Sequence, residues 1–422
     1  MAHIDVPQVL QIMVSNNAAD VFMYTGARIS MKTPKGFAQL GEPLEPGDAE
    51  RAIRELLTEE KLKQYEENGE VDFSLSYSGI GRFRGNAFRQ RGEASLVLRH
   101  INTDVPTIES LGMPKVLEGL VMQRNGLILV VGATGSGKST TLAAMIDYRN
   151  SNAGGHILTL EDPIEYMHVH KKSIVAQREI GTDTASFSTG MKAALRESPD
   201  VILMGEIRDV DGMEFALKFA NTGHLALSTL HANNATTTME RILGFYPQDG
   251  LEAQAKRIAQ NLRAIVCQRL VPGKEGGKVA AVEVLINTGY IADLIAKLEI
   301  GSIKEAIERG GQYKMQSFDQ HLVSLYQQGR ISQETAIEYA DSASNVKIQI
   351  KTADAGKRLS SSDWNSGLSL EPTDQDAGRL DDVVAQFKEG EPGQRAIVSN
   401  AAFATGFPSK RRLEGILGPI PF

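Results

Sequence analysis

Runs of apolar residues separated by polar segments give the chain an alternation of predicted strands and helices. The clearest run, residues 127–131, is apolar throughout and predicts a strand that is buried on both faces. Three later runs, at residues 156–160, 201–204 and 225–230, have the same strand character. Helix-forming residues lie between the runs, beginning with 140–148. This alternation predicts a parallel α/β sheet.

The residues before this sheet have a more mixed pattern. Residues 1–100 combine short helical patterns, such as 9–14, with short strand patterns, such as 20–24, and predict a separate α+β domain. Residues 101–114 carry two prolines and only an isolated helix start. We therefore predict an interdomain linker there, which would let the two domains move relative to each other.

The residues after 234 have mainly helical patterns. Residues 251–269 have the spacing of an amphipathic helix, and the pattern continues to residue 354. The further predicted helices are 292–298, 303–308, 318–327 and 333–342. We predict that residues 115–354 form one α/β domain with a helical C-terminal part. Residues 355–422 are rich in Ser, Gly, Asp, Pro and Gln and predict a tail of low order.

Composition narrows the class of protein. The 422 residues, 41% hydrophobic and 23% charged, suit a globular protein of two or three domains. No apolar run approaches the roughly 18 residues of a membrane span, and no secretory signal is evident, so a cytoplasmic protein is expected. Cys267 is the single cysteine, which excludes an intrachain disulfide and a four-cysteine zinc module. With 45 basic and 52 acidic residues, the net charge of −7 argues against a nucleic-acid surface.

The strand at 127–131 leads directly into a phosphate-binding signature, G-x-x-x-x-G-K-[ST]. The loop and the residue after it are Gly132, Ala133, Thr134, Gly135, Ser136, Gly137, Lys138, Ser139 and Thr140. Glycines let successive backbone N–H groups point at phosphate oxygens, the lysine neutralises the outer phosphates, and the Ser139 hydroxyl is a ligand for Mg²⁺. A chance glycine-rich turn would lack the strand before it and the helix after it. The sequence therefore predicts a site for ATP and Mg²⁺.

The three other apolar runs each end in polar residues, among which are Glu161, Glu206 and His231. Ligands of open parallel sheets bind beyond the carboxyl ends of the strands, so these side chains are expected near the phosphate loop. Glu206 stands where a Walker B acid is expected, although Gly205 replaces the usual Asp. Glu206 either holds the Mg²⁺ shell or orients the attacking water, and Glu161 is the other candidate for the water.

Histidines and arginines add further candidates. His224 and His231 have no zinc spacing and no cysteine partners, so a hydrogen-bonding role is expected for His231, and packing remains open for His224. Arg82 and Arg84 alternate on one face of a predicted strand, and Arg99 lies on the next strand. A solvated basic face is the alternative for these arginines.

In this order, the motifs resemble those of the secretion-ATPase superfamily, and within it the PilT/PilU family of type IV pilus retraction ATPases. GATGSGKSTT resembles the family's Walker A motif, ILTLEDPIEY its Asp box, LRESPDVILMGEIRD its Walker B motif and TGHLALSTLHANNA its His box. GRFRGNAFRQRG resembles the segment that carries the family's N-terminal arginines. The resemblance covers roughly residues 5–352. IVAQREIGTDT and NLRAIVCQRLVP are closer to the PilU branch, and the AIRNLIREGK-type segment of the PilT branch is absent.

The resemblance implies a PAS-like N-terminal domain followed by a RecA-like P-loop ATPase domain. It implies a homohexamer in which Arg84 and Arg99, with Arg82 as a further candidate, act on the neighbour's nucleotide. Catalysis would then involve Lys138 together with the residues after the strands, Glu161, Glu206 and His231. The implied function is ATP hydrolysis that powers pilus retraction and twitching motility, as an accessory to a PilT-type paralogous ATPase.

The implied location is peripheral, at the cytoplasmic face of the inner membrane, where an inner-membrane platform protein is the partner and no nucleic acid is bound. Three other functions remain as alternatives. A pilus-extension or type II secretion ATPase usually carries a paired-cysteine zinc insert, and a single cysteine counts against it. A RecA-like nucleic-acid motor is disfavoured by the acidic balance. A regulatory subunit without hydrolysis is disfavoured because Lys138, Glu161, Glu206 and His231 are all present.

Overall fold

The computed structural model describes residues 4–101 and 104–361, and their side chains as far as residue 354. Its N-terminal part is a six-stranded antiparallel sheet in the order β3-β2-β1-β6-β5-β4, with three helices. The strands are β1 (Asp20–Tyr24), β2 (Ile29–Thr33), β3 (Gly36–Leu40), β4 (Glu70–Tyr77), β5 (Gly81–Gln90) and β6 (Glu93–Ile101). The helices are α1 (Val6–Ser15), α2 (Asp48–Leu56) and α3 (Glu59–Asn68). The predicted α+β character and the strand at 20–24 are confirmed.

This part has its own core. Apolar residues spaced three and four apart on α1, namely Val6, Leu10 and Met13, are fully buried. They belong to one hydrophobic cluster with alternate residues of the strands, such as Leu96 and Leu98 on β6. The polar residues of β5 alternate with its buried residues, which places Arg82 and Arg84 on the less buried face.

The second sheet has seven strands in the order β13-β12-β7-β11-β10-β8-β9. All neighbours are parallel except β12 and β13. The strands are β7 (Gly126–Val131), β8 (Gly155–Glu161), β9 (Ser173–Glu179), β10 (Val201–Glu206), β11 (Leu225–Leu230), β12 (Leu262–Pro272) and β13 (Lys278–Ile286). Every residue of β7 and β11 is buried, because hydrophobic clusters cover both faces of the sheet.

Helices flank this sheet. Those before β12 are α4 (Val116–Val121), α5 (Lys138–Asn152), α6 (Phe187–Ala194), α7 (Val210–Asn221), α8 (Ala235–Leu243) and α9 (Leu251–Asn261). The C-terminal helices are α10 (Gly289–Ala296), α11 (Ile303–Arg309), α12 (Phe318–Gln327), α13 (Gln333–Glu338) and α14 (Ala343–Ser361). None of the helices in the described part of the chain is long and apolar enough to cross a membrane.

Two predicted helices are too long: the one at 333–342 ends at Glu338, and the one at 251–269 runs into a strand. The helix predicted at 251–269 ends at Asn261, and β12 begins at Leu262 and pairs with the central strand β7. Residues 264–267 are all fully buried, and two of them, Ile265 and Val266, are β-branched. A short apolar run of this kind has no period that separates a strand from a buried helix. The region after residue 234 is therefore partly a sheet.

The boundaries of the predicted linker and tail also differ in detail. Residues 104–115 form turns without a helix or strand, yet Ile108 and Met113 are buried in the hydrophobic cluster that contains residues of α4 and α5. At the other end, α14 continues past residue 355 to Ser361. The rest of the predicted tail, residues 362–422, lies outside the described residues.

Candidate functional site: a nucleotide-binding cavity at the sheet edge

The phosphate loop joins the buried strand β7 to α5. Gly135 and Gly137 have φ angles of +76° and +90°, which side chains rarely adopt, so glycine is required at these turns. At Gly132 the requirement is space, because a Cβ atom would lie 2.4 Å from the Gln268 carbonyl oxygen of β12. The loop is therefore shaped by the neighbouring strand as well as by its own glycines.

Two features of the loop suit an anionic ligand. Helix α5 begins at Lys138 with Gly137 as its N-cap and no side-chain hydrogen bond to its first turn. Its first N–H groups carry the positive end of the helix dipole. The hydroxyl of Ser136 is buried and has no hydrogen-bond partner within the described residues. Unsatisfied donors at a helix N-terminus fit phosphate oxygens.

The side chain of Lys138 folds back towards the phosphate loop. Its Nζ donates to the carbonyl oxygens of Gly132, at 2.9 Å, and Ala133, at 3.0 Å. Burial lowers the pKa of Lys138, and the negative charges of Glu206 and Glu165 oppose that shift. The ammonium group is thus held by weak neutral acceptors, which an anionic phosphate would replace with a charge-assisted bond.

The strand ends enclose a cavity of about 460 Å³ beside the loop. The loop and α5 line it with Thr134, Gly135, Lys138 and Ser139. Glu161 after β8, Glu206 at the end of β10 and His231 after β11 line it as well. The structure thus brings the candidates from four parallel strands together at one edge of the sheet, as the carboxyl-end argument predicted.

Other predicted residues lie outside the cavity wall. Gly132, Ala133, Ser136 and Gly137 form the loop behind it, and Thr140 accepts a hydrogen bond from the hydroxyl of Tyr166, at 3.1 Å. Arg84 and Arg99 do not line the cavity of their own chain.

Glu206 is held by two basic side chains. Its Oε1 lies 3.2 Å from Nε2 of His231, and its Oε2 accepts a hydrogen bond of 2.8 Å from Nε of Arg208. Arg208 was missed by the sequence reasoning, although it follows Glu206 by two residues in the Walker B stretch. The sequence did contain a signal for Arg208, namely a basic residue only two positions after the acid Glu206. The two contacts fix the position of the Glu206 carboxylate in the cavity.

Glu161 has a different environment. Its Oε1 accepts hydrogen bonds from Thr159, at 2.7 Å, and from the amide of Gln177, at 3.3 Å. Burial nevertheless raises the pKa of Glu161, and the nearby negative charge of Glu165 adds to the shift. Burial thus makes Glu161 a stronger base than an exposed glutamate. Thr159 and Gln177 were also missed by the sequence reasoning, although both lie in motif stretches quoted above, because a neutral polar side chain within a strand carries no signal of its own.

The N-terminal arginines lie on β5 and β6. Arg84 and Arg99 are paired in register across the two strands. Arg99 donates from Nε to Asp20 at 2.7 Å, and this bond, with a distant contribution from Glu165, raises its pKa. Arg84 lies 3.8 Å from Asp72. The side chain of Arg99 is largely exposed, at 68%, and that of Arg84 is partly exposed, at 40%.

Arg82 makes the contact between the two sheets. Its Nη2 lies 3.4 Å from Oε2 of Glu179, a buried residue at the end of β9. The hydroxyl of Ser74 on β4 donates to the same carboxylate. Glu179 also accepts a 3.3 Å hydrogen bond from the backbone N–H of Ile164, in the loop that follows Glu161. One carboxylate thus joins the N-terminal sheet to a loop of the nucleotide cavity.

The second histidine of the predicted pair lies at the start of β11. Nδ1 of His224 lies 3.0 Å from the Thr222 hydroxyl and 3.3 Å from the carbonyl oxygen of Phe219, and its ring packs edge-on against the Phe219 ring. Within the described ranges, no group of three or more His, Cys, Asp and Glu side chains is arranged to hold a metal ion. Cys267 is buried on β12, and burial raises the pKa of its thiol.

Comparison with known proteins identifies the relatives of this chain. Residues 54–353 match the family described as Type II/IV secretion system protein. The Pseudomonas aeruginosa type IV pilus ATPase PilU is 45% identical over 88% of this chain and 98% of its own length. The type IV pilus retraction ATPase PilT of the same organism is 39% identical over 80% of this chain and 98% of its own length.

A solved structure agrees with the sequence relatives. The crystal structure of the pilus retraction motor PilT with bound ADP superposes with a TM-score of 0.76 at 39% identity. The match covers 82% of this chain and 100% of that one. The shared architecture therefore includes both the N-terminal sheet and the seven-stranded sheet that carries the cavity.

Proposed function

Because the chain belongs to the PilT/PilU family of type IV pilus ATPases, we propose that its ATP hydrolysis powers pilus retraction and twitching motility. The observation that carries the proposal is the convergence of Lys138, Ser139, Glu161, Glu206 and His231 on one cavity. A phosphate loop, two carboxylates in different environments and a histidine are the parts that phosphoryl transfer to water requires.

ATP binding follows from the loop geometry. The N–H groups at the start of α5 and the buried Ser136 hydroxyl would donate to phosphate oxygens, and Lys138 would exchange its two carbonyl partners for the outer phosphates. The hydroxyl of Ser139 and the carboxylate of Glu206 are oxygen donors of the kind that suits Mg²⁺. Bound there, Mg²⁺ neutralises charge that develops on the phosphates.

The two carboxylates would divide the remaining work. Glu206 is held in place by Arg208 and His231 at the end of β10, and its carboxylate suits the metal shell. Glu161, whose pKa is raised by burial, suits the base that accepts a proton from the attacking water, because a base works best when its pKa approaches the working pH. His231 would orient Glu206 and respond to the outer phosphate.

The N-terminal arginines would act in trans within a homohexamer. Arg99 is largely exposed, Arg84 is partly exposed, and both lie outside the cavity of their own chain, so a neighbouring subunit's nucleotide is the site that they would reach. Arginines supplied in this way stabilise negative charge in the transition state. The contact of Arg82 with Glu179 assigns that arginine to the interface between the domains of one chain.

The high identity to PilU over nearly the whole chain supports a role as an accessory to a PilT-type paralogous ATPase. Its place would be the cytoplasmic face of the inner membrane, where a platform protein of the pilus machine receives the mechanical work. We expect no nucleic-acid partner, because a net charge of −7 disfavours binding to a phosphate backbone.

Two measurements test the proposal. Purified full-length protein should hydrolyse Mg·ATP, and the Lys138→Ala variant should not, because the outer phosphate charge is then uncompensated. In cells, loss of the gene should reduce twitching, and the Lys138→Ala variant should fail to restore it. Normal turnover by the variant would refute the site, whereas stimulation of the wild type by single-stranded DNA or RNA would favour the nucleic-acid motor.

A further inference from the structure

We propose that Arg269 is a positioning residue through which the C-terminal helices hold the loop that carries His231. The inference rests on the proposed role of His231 beside Glu206. The geometry on which it depends is independent of that role, because Arg269 lies on β12 and reaches both the loop after β11 and the segment before α14.

The first observation is the way in which the loop is held. Nη2 of Arg269 lies 3.4 Å from the carbonyl oxygen of Asn233, two residues after His231. The loop has further supports, among them the hydrogen bonds that the backbone N–H groups of Asn233 and Asn234 donate to the Thr237 hydroxyl. The guanidinium of Arg241 donates to the His231 carbonyl oxygen at 2.6 Å, and Glu283 on β13 accepts from the backbone N–H of Ala235 at 2.7 Å.

The second observation is that Arg269 is itself fixed by the C-terminal helices. It forms a 2.7 Å ion pair with Asp341 and donates to the carbonyl oxygen of Tyr339 at 3.2 Å. Its guanidinium lies 3.8 Å from the centre of the buried Phe318 ring at the start of α12, a cation–π arrangement. Asp341 is held in turn by Asp319, whose carboxylate accepts hydrogen bonds from the backbone N–H groups of Asp341 and of the next residue.

The side chains around Arg269 explain why an arginine is needed. A planar guanidinium offers donors in several directions at once, so it contacts Asp341, Tyr339 and Asn233 together while its face lies on Phe318. A lysine has a single ammonium group and lacks this fork. A displacement of the C-terminal helices would therefore be transmitted to the loop, and so to the 3.2 Å contact between His231 and Glu206.

The strand also supports the opposite side of the site. The residue before Arg269, Gln268, is buried and accepts a 2.7 Å hydrogen bond from Thr141 in the first turn of α5. Its carbonyl oxygen is the atom that leaves no room for a side chain at Gly132. Consecutive residues of β12 thus support the phosphate loop and the His231 loop.

The test is the Arg269→Lys variant of the full chain, assayed for Mg·ATP turnover. We expect the ion pair with Asp341 to survive and the contact with Asn233 to be lost. The expected result is a fall in kcat of roughly tenfold to a hundredfold, since small misplacements of catalytic groups have effects of that size. The KM for ATP should stay within about twofold, because the phosphate loop keeps its own support.

Arg263→Lys is the matched control. Arg263 lies on the same strand and is also half-buried, but it bonds to Asn125 and Gln260, at the end of β12 away from the cavity. The Arg263→Lys variant should have the same kcat as the wild type. Asp341→Asn is a second variant, which removes the anchor of Arg269 and should lower kcat in the same direction without touching the loop.

The outcomes separate the two proposals. Turnover near the wild-type value in both Arg269→Lys and Asp341→Asn, alongside a slow His231→Ala variant, would overturn the inference and leave the proposed function standing. Wild-type turnover by His231→Ala would refute the catalytic role of that histidine and the inference with it. Equal losses of kcat and of melting temperature in Arg269→Lys and Arg263→Lys would show that the arginines serve only stability.

Discussion

At the scale of single residues, the cavity contains two carboxylates with contrasting surroundings. Glu206 faces Arg208 and His231, whereas Glu161 faces the hydroxyl of Thr159 and the amide of Gln177. Burial raises the pKa of Glu161, whereas two basic side chains hold the carboxylate of Glu206 in position. Identical side chains thus acquire different chemistry from their positions at the ends of β10 and β8.

The first prediction compares Glu161→Gln with Glu206→Gln in single-turnover assays. Glu161→Gln should bind Mg·ATP normally and slow the chemical step roughly 100-fold or more, because it removes the base. Glu206→Gln should also weaken the dependence of ATP binding on Mg²⁺, because it removes the charge near the metal. Equal and mild losses in both variants would contradict this division.

The second prediction concerns Glu283, which is buried on β13. Burial raises its pKa to about 7, against a model-peptide value of 4.5, although the bond from Ala235 opposes the shift. Between these values the folded protein binds more protons than the unfolded chain, so stability falls as the pH rises from 4.5 to 7. Glu283→Gln cannot titrate. Relative to wild type it should gain up to about 3 kcal/mol in free energy of unfolding between pH 4.5 and pH 8.

Chemical denaturation of both proteins at several pH values measures this difference. Asp293→Asn is a suitable control, because Asp293 is an exposed carboxylate paired with Lys297. Its difference from wild type should stay nearly constant over the same range. A constant difference for Glu283→Gln would show that this carboxyl keeps an ordinary pKa in the folded protein.

At the scale of elements, the strands that carry the site were predictable because each is mainly apolar and is followed at its carboxyl end by polar residues. The predicted strands at 127–131, 156–160, 201–204 and 225–230 lie within β7, β8, β10 and β11. The strand β12 was not predicted, since its apolar run continues the amphipathic pattern of α9 without a break. Strand β9 was missed as well, because polar residues such as Gln177 and Arg178 interrupt its pattern at the edge of the sheet.

The same limit applies to the site. Motifs along the chain located the loop and the residues after each strand, since a phosphate site requires them in that order. Some of the partners come from other strands, such as Gln268 behind Gly132 and Gln177 beside Glu161. Such residues come together because of the order of the strands in the sheet, and no local sequence pattern predicts that order.

The third prediction tests the support of the loop by β12. Gly132→Ala would place a Cβ atom 2.4 Å from the Gln268 carbonyl oxygen and 2.5 Å from the Ser136 hydroxyl. The loop must then shift, at a cost of about 1–3 kcal/mol, which weakens nucleotide binding roughly tenfold or more. Equilibrium titration with a fluorescent ADP analogue measures this change.

Gly119→Ala is the control for that experiment. Gly119 lies in α4, where an added Cβ meets no atom within 4 Å, so the alanine should leave nucleotide affinity unchanged. Unaltered affinity in Gly132→Ala would show that the loop adjusts without β12.

At the scale of the whole molecule, the proposed action of Arg84 and Arg99 requires more than one subunit. The fourth prediction mixes Arg84→Ala subunits, which keep an intact phosphate loop, with Lys138→Ala subunits, which keep intact arginines. Each should be inactive alone. Mixed rings contain interfaces with an intact loop and an intact arginine, so part of the ATPase activity should return.

Native mass measurements on the mixture show whether the two kinds of subunit assemble together. Mixed assemblies without recovered turnover would place the arginines in their own chain or in a purely structural role. A mixture of Lys138→Ala with Lys138→Ala/Arg84→Ala subunits provides the baseline, because neither has a working phosphate loop.

The carboxylate of Glu179 gives the two domains a mechanical connection. It receives Arg82 and Ser74 from the N-terminal sheet on one side and the backbone of Ile164, beside the ATP cavity, on the other. A force that pulls the N-terminal domain away would strip a buried negative charge of its cation, which is energetically costly. The backbone of Ile164 in the cavity loop is bonded to the same carboxylate, so the force would also displace this loop. The load on the N-terminal domain would then change the rate of ATP hydrolysis in the cavity through the side chain of Glu179.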